Sequence, residues 1–281
     1  MLGKLIGYDN RIQSKFFGGV YAVMGVLAGI AAVLKALNEH FNHVIVLQYA
    51  YQIAWVICRA AAIAVIVGSI IYVIALFRNN LLKDEGYFMH TLPVPAWQLY
   101  VSKLVTGTVW IVVSIVVVIL AYMLGSLDFH LPILEILRDS GVEELKIVWL
   151  AGIAIFLSIP AALSQFYTSF SIGYTWEGKG NSRDRDILSV VALIFVYIAQ
   201  QIVGMITLGL FITFQCGSIF KPHLLERVIA VLNTMDHVGE GTKFNEYLCH
   251  LMGTVSVETF LLCVAFGVVA VWRMSRHLNM E

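Results

Sequence analysis

Two short motifs in this sequence resemble chemical sites, and neither is complete. His40 and His43 form an H-x-x-H pair, but a pair alone is a weak metal signal, and we expect both to be ordinary loop residues. Residues 173–180 nearly match the phosphate-binding pattern G-x-x-x-x-G-K-[ST], but Gly180 stands where a magnesium-binding hydroxyl is required. H-E-x-x-H and G-x-S-x-G do not occur. The sequence therefore predicts no catalytic residue, no metal site and no ATP hydrolysis by this chain itself.

Arg59 and Glu258 interrupt long apolar stretches of the chain. A charged residue at mid-membrane costs about 2.5–3.5 kcal/mol on insertion scales, so both side chains should face protein or water. The two residues lie at comparable distances from the same predicted side of the membrane, so they could form a structural ion pair. Alternatively, Arg59 lines a transport pathway and meets acidic or carbonyl groups of the cargo.

Polar side chains also gather on two of the apolar stretches. The set on the second stretch, at helical spacing, is Gln48, Gln52, Trp55 and Arg59. The set on the fifth stretch is Tyr197, Gln200, Gln201, Gly204 and Thr207. Walls that place aromatic beside amide groups suit an amphipathic cargo. The residues predicted to line a substrate pathway are Gln52, Trp55, Arg59, Tyr197, Gln200, Gln201 and Thr207. The alternative is hydrogen bonding between helices, which contributes about 0.6 kcal/mol per contact on average.

Six apolar stretches reach the length of about 20 residues that a membrane-spanning helix requires. They are 16–37, 50–77, 98–125, 147–172, 187–215 and 251–272. Of the 281 residues, 59% are hydrophobic and 13% are charged, against about 25% charged in a soluble domain. The sequence therefore predicts an all-α membrane protein with six transmembrane helices and excludes a water-soluble one. Its net charge of zero gives no general attraction to nucleic acid.

The distribution of positive charge predicts that both termini are cytoplasmic. Eleven of the 18 lysines and arginines lie on the side that holds the termini, and six lie on the other side. Residues 1–15 are expected to form an interfacial segment on the inner side. Residues 217–250 form a predicted extracellular excursion, whose apolar spacing over 223–235 indicates a short amphipathic or re-entrant helix. Cys216 and Cys249 bracket this excursion, and we expect free thiols there.

The predicted cytoplasmic gap between the second and third stretches is unusually apolar for a solvated loop. Asp84 and Glu85 precede the aromatic pair Tyr87 and Phe88. Acidic residues are favoured at the start of a helix by the helix dipole. A short helix with an exposed aromatic tip suits docking into a groove on another protein. Residues 80–93 are therefore predicted to form a docking helix.

This segment resembles the membrane subunit of bacterial type-2 ABC exporters. The shared pattern is D-E-G-Y-x-x-x-T-L-P followed by x-x-x-x-Q-L-x-x-S-K. Its matching residues here are Asp84, Glu85, Gly86, Tyr87, Thr91, Leu92, Pro93, Gln98, Leu99, Ser102 and Lys103. The ending H-L-N-M-E also resembles the K-L-N-L-E tail common in these permeases from Firmicutes. Six spans, cytoplasmic termini and a long outer excursion fit the family along the full chain.

The resemblance implies a single permease domain over 1–281 in the bacterial cytoplasmic membrane. It implies that 80–93 is the coupling helix, which contacts a separate ATPase. The coupling residues are Asp84, Glu85, Gly86, Tyr87, Phe88, Thr91, Leu92 and Pro93. Two permease chains, identical or homologous, would work with two ATPase chains that bind ATP and magnesium, and this chain would hold no cofactor. In the family, the second and fifth spans border the central pathway.

Several substrates and one other class of transporter remain open from the sequence. Overall similarity within the family favours an exporter of amphipathic peptide toxins of the phenol-soluble-modulin type. The alternatives in the same family are drug, lantibiotic or lipid efflux, or an immunity permease. An ion-coupled secondary transporter is a further alternative, which would be expected to show inverted repeats or interrupted helices with acidic coupling residues.

Overall fold

Six long helices make up nearly all of the described chain. The computed structural model describes residues 2–41, 44–82, 94–127, 142–175, 182–215 and 241–277. The helices are α1 (Leu2–His40), α2 (Ile45–Phe77), α3 (Ala96–Ser126), α4 (Val142–Thr175), α5 (Ser182–Gln215) and α6 (Gly241–His277). Each is long and apolar enough to cross a membrane, and the described residues contain no strand. The predicted all-α architecture with six spans is confirmed, whereas the cytoplasmic location of the termini stays a prediction.

The helix ends follow local backbone chemistry. Pro95, with φ −65° and ψ 145°, caps the start of α3, where a proline costs no helical hydrogen bond. Leu127 ends that helix in the left-handed region at φ 51°, and its N–H donates to the Leu124 carbonyl at 3.2 Å. α2 continues directly into a π-helical turn, Arg78–Leu82. Residues 80–82 of this turn are the first three residues of the predicted coupling segment.

Residues 2–15 are continuous with the first spanning helix, because α1 runs unbroken from Leu2 to His40. At 39 residues, α1 is about 58 Å long, nearly twice the hydrocarbon thickness of about 30 Å. The interfacial location of the first turns stays a prediction. Residues 83–93 of the coupling segment, 217–240 of the outer excursion and the carboxyl-terminal residues 278–281 lie outside the described part of the chain.

The first of two compact units covers residues 1–132 and contains α1, α2 and α3, which all pack against one another. Its buried apolar cluster is Met24, Ala28, Cys58, Val65 and Ala121. Gly125 of α3 lies against the indole of Trp55, where an added Cβ would stand 2.8 Å from a ring carbon. Lys35 donates to the Ser126 carbonyl and lies 3.7 Å from Glu39.

The second unit covers residues 133–279 and contains α4, α5 and α6. α4 packs along both of the other helices, whereas α5 and α6 touch over only a short stretch. Small hydroxyl residues on α4 allow close approach to α6. The Thr168 hydroxyl lies 2.7 Å from the Ser164 carbonyl on its own helix and 2.8 Å from the Phe266 carbonyl on α6.

Gly173 of α4 packs directly against the backbone of Ser189 on α5. A Cβ at Gly173 would lie 2.5 Å from both the Cα and the backbone nitrogen of Ser189, and a backbone cannot move aside as a side chain can. At the next residue, the Tyr174 hydroxyl donates to Asp186 Oδ1 at 2.5 Å. The start of the phosphate-loop-like segment is therefore a helix-packing contact.

We expect Gly173→Ala to destabilise the second unit by about 1–3 kcal/mol, the usual cost of overpacking a tight contact. Thermal unfolding of the full chain in a mild detergent measures this effect. Gly209→Ala is the matched control, because nothing lies within 4 Å of a Cβ at Gly209 of α5. Equal unfolding temperatures for the two variants would contradict this account of the α4–α5 contact.

Candidate functional site

A line of paired side chains joins α1 and α3, which run in the same direction. Residues of α1 meet α3 residues about 93 positions later in the chain, one helical turn after another. The α1 members are Asp9, Gln13, Phe17 and Tyr21. The α3 members are Ser102, Lys103, Thr106, Trp110 and Ser114. We call these nine residues the α1–α3 seam.

The seam begins with a buried ion pair. Lys103 Nζ lies 2.6 Å from Asp9 Oδ1, and the two side chains are only 4% and 3% exposed. The Ser102 hydroxyl donates to the other carboxylate oxygen, Asp9 Oδ2. Each oxygen of Asp9 thus has its own donor, which is the condition under which a buried charge is tolerated. Loss of either charge would leave the other buried without its counterion.

Polar and aromatic contacts continue the seam for three more turns. Gln13 Nε2 donates to Thr106 Oγ1 at 3.3 Å, and the rings of Phe17 and Trp110 stack at 4.8 Å with 5° between their planes. The Tyr21 hydroxyl lies 2.7 Å from Ser114 Oγ. Ser114 Oγ lies 2.8 Å from Ser69 Oγ, which brings α2 into the same network. The contacts recur at every turn, so α1 and α3 are locked against sliding or rotation.

The family pattern included Ser102 and Lys103, and the structure gives both a buried partner. Asp9, which the motifs do not single out, supplies that partner. The only sequence signal for it is the i, i+4 recurrence of Asp9, Gln13, Phe17 and Tyr21 along one face of α1. That signal shows a shared face but does not identify the helix it meets.

The predicted pathway residues of α2 lie at the surface of the first unit. Gln52 and Arg59 are exposed and Trp55 is half-buried. The Arg59 guanidinium lies 5.2 Å from the centre of the Trp55 ring, a cation–π distance. Trp55 in turn packs against Tyr122 of α3, with ring centres 5.0 Å apart. Because Arg59 and Glu258 belong to different units, their pairing stays a prediction.

The predicted pathway residues of α5 divide between two faces. Gln200 and Thr207 are half-buried, whereas Tyr197 and Gln201 are exposed. Thr207 lines a groove of about 620 Å³ between α5 and α6 that also contains Glu258. Its lining residues are Val203, Thr207, Cys249, His250, Gly253, Thr254, Val257, Glu258, Leu261, Leu262 and Ala265. We call this space the α5–α6 groove.

Other predicted sites are only partly covered by the structure. The eight coupling residues from Asp84 to Pro93, together with His43 and Cys216, lie outside the described residues. His40 ends α1 and stacks edge-on against Phe41 at 4.8 Å. Cys249 has a free thiol and lines the α5–α6 groove. The described residues contain no group of three or more metal-ligating side chains.

In comparisons with protein-family models, curated proteins and solved structures, nothing matches this chain. Six spanning-length apolar helices define a multi-pass α-helical membrane protein. Among the residues that the structure describes, the buried ion pair of the α1–α3 seam and the largely apolar α5–α6 groove with its carboxylate, Glu258, are chemically distinctive.

Replacing the carboxylate of the buried pair should destabilise the first unit. Asp9→Asn leaves the Lys103 charge buried without a counterion, which typically costs about 3–5 kcal/mol. An added Lys103→Met should recover part of that loss, because the double variant has no unpaired charge. Chemical unfolding of all three variants in detergent, analysed as a double-mutant cycle, gives the coupling between the two residues.

Glu39→Gln is the matched control for Asp9→Asn. Glu39 is 61% exposed and lies 3.7 Å from Lys35, so removal of its charge should cost only about 0.3–0.5 kcal/mol. If Asp9→Asn proved as mild as Glu39→Gln, the seam would not depend on its ion pair.

Proposed function

We propose that this chain is the transmembrane permease subunit of an ATP-driven ABC exporter. The proposal rests first on the sequence pattern that runs from Asp84 to Lys103. The observation that carries it is the location of the last two residues of that pattern, Ser102 and Lys103. Both residues belong to α3, the helix that directly follows the predicted coupling segment. Inside the first unit, both bind Asp9 of α1.

This arrangement suits the transmission of force. A permease driven by an ATPase must convert a push on a cytoplasmic segment into movement of whole helices. α3 begins at Ala96, three residues after the coupling segment ends at Pro93. The α1–α3 seam ties α3 to α1 over four turns, so a displacement of the segment would move both helices together. Without the ion pair, α3 could shift relative to α1, and the movement of the coupling segment would not reach α1.

The proposal includes the partners and the location. Two copies of this chain, or this chain and a homologous permease, act with two ATPase subunits in the bacterial cytoplasmic membrane. ATP and magnesium bind to the ATPase subunits, and this chain catalyses no reaction. The polar positions on α2 and α5, with an apolar groove beside α5, favour an amphipathic cargo such as a peptide toxin over a strongly anionic polysaccharide. Drug, lantibiotic or lipid efflux and immunity are the alternatives within the family.

A second candidate function is ion-coupled secondary transport. Inverted repeats and intramembrane acidic residues are typical of that class. Two observations favour it: the chain divides into two units of three helices each, and Glu258 lies in an apolar helix without a partner among the described residues. Proteoliposomes that hold this chain alone separate the classes. Cargo movement driven by a pH gradient without ATPase would favour a secondary transporter.

Removal of the aromatic tip should weaken assembly with the ATPase. We expect the double substitution Tyr87→Ala and Phe88→Ala to lose most of the ATPase that copurifies with the wild-type chain, because buried aromatic anchors typically contribute 2 kcal/mol or more each. The measurement is affinity purification of the full chain from membranes of cells that also produce a candidate ABC ATPase partner. ATP hydrolysis by the purified complex is a second readout.

Tyr8→Ala is the matched control for the aromatic pair. Tyr8 is an exposed aromatic residue on the same predicted side of the membrane, but it lies outside the coupling segment. This variant should copurify with the ATPase as the wild type does. Normal assembly and ATP hydrolysis in the Tyr87→Ala, Phe88→Ala variant would contradict the permease proposal.

A further inference from the structure

Glu258 is a carboxylate inside a membrane-length helix with no described partner. It lies ten residues from one end of the apolar span Leu248–Ser275 and seventeen from the other. These separations correspond to about 15 Å and 25 Å along the helix axis. Glu258 is half-buried, and no described residue forms a hydrogen bond or ion pair with it. Acidic residues at this depth in a membrane are costly, and they usually either pair with another group or bind a substrate or ion.

Glycine on the facing helix leaves room beside this carboxylate. Gly204 of α5 lies opposite, and a Cβ there would stand 3.4 Å from Glu258 Oε1. A Cβ at this position would just reach van der Waals contact with the carboxylate oxygen, so glycine leaves the space beside that oxygen open. The α5–α6 groove, of about 620 Å³, therefore keeps an open space next to the charge. Its volume lies in the range of about 300–1,000 Å³ typical of small-molecule sites.

The α5–α6 groove contains two threonine hydroxyls whose O–H groups already donate to backbone carbonyls. The Thr207 hydroxyl donates to the Val203 carbonyl at 3.0 Å, and the Thr254 hydroxyl lies 2.8 Å from the Leu251 carbonyl. Each hydroxyl oxygen can still accept a hydrogen bond. No described lysine or arginine lines the groove.

We propose that the α5–α6 groove binds the primary ammonium group of an amphipathic cargo, with Glu258 as its counterion. An ammonium carries three N–H donors and a positive charge, which complements a carboxylate flanked by free acceptors. The apolar walls formed by Val203, Val257 and Leu261 accommodate the hydrocarbon part of the same molecule. The depth of Glu258 favours cargo over a lipid amine, because lipid headgroups stay at the membrane surface.

This inference rests on the proposed function, because it names the chemical class of the cargo. Its test uses binding alone and needs no ATPase, so a failed titration leaves the permease proposal intact. The probe is dodecylammonium at pH 7, titrated into the full chain in a neutral maltoside detergent. Dodecanol is the uncharged probe of equal chain length, and dodecyltrimethylammonium is a cation that lacks N–H donors.

We expect saturable binding of dodecylammonium that weakens roughly tenfold to hundredfold in Glu258→Gln, as for the loss of a charged hydrogen bond. Dodecanol should bind wild type and variant equally, and dodecyltrimethylammonium should bind more weakly than dodecylammonium. Glu39→Gln removes the same charge outside the groove and should leave every titration unchanged. Equal dodecylammonium affinity in wild type and Glu258→Gln would overturn the proposal.

Two further titrations test whether Glu258 has a different binding partner. If Arg59 is the native counterion, the wild type should bind no dodecylammonium and Arg59→Gln should gain binding, a result that would also overturn the proposal. Added phosphatidylethanolamine should not displace the probe. Displacement by that lipid would assign the groove to a lipid amine instead of cargo. Unchanged binding in Arg59→Gln together with loss in Glu258→Gln would support the cargo site.

Discussion

An unpaired charge is costly in an apolar interior, and the arrangement of this chain follows from how its charged residues meet that cost. Asp9 and Lys103 neutralise each other inside the first unit, with Ser102 on the second carboxylate oxygen. Arg59 extends over the face of Trp55 at the surface of that unit. Glu258 instead faces an open groove. The first solution fixes two helices together, whereas the last leaves a charge available to another molecule.

The sequence predicts the helices well and their pairing poorly. Hydropathy identifies all six spans, because about 20 apolar residues have few other stable arrangements in a chain this hydrophobic. The contact of Asp9 with Lys103 joins residues 94 positions apart, and no periodicity within α1 reveals which helix it meets. The packing role of Gly173 is likewise not predictable from the sequence. Its neighbours suggest a phosphate loop, but its role depends on the Ser189 backbone of another helix.

The two units solve the packing of three helices differently. In the first, every pair of helices is in contact, and stacked rings such as Phe17 and Trp110 fill the space between α1 and α3. In the second, α4 packs along both neighbours, while α5 and α6 diverge. The divergence creates the α5–α6 groove. The first unit also has a groove between α1 and α2, of about 350 Å³, but the residues that line it are apolar apart from Ser69, whereas the α5–α6 groove contains Glu258.

Among the described residues, the first unit has a paired buried charge and the second has an unpaired charge at Glu258, and the proposed functions of the two units give a physical reason for this difference. Under the proposed function, a pair that transmits force must stay closed throughout the cycle, and Asp9 and Lys103 are both buried, each with a fixed partner. A site that binds and releases cargo must exchange partners, so its protein charge cannot be satisfied permanently. Glu258 faces Gly204 across the groove, and no described residue forms a hydrogen bond or ion pair with its carboxylate. The same electrostatic cost that holds Asp9 to Lys103 would then drive cargo toward Glu258.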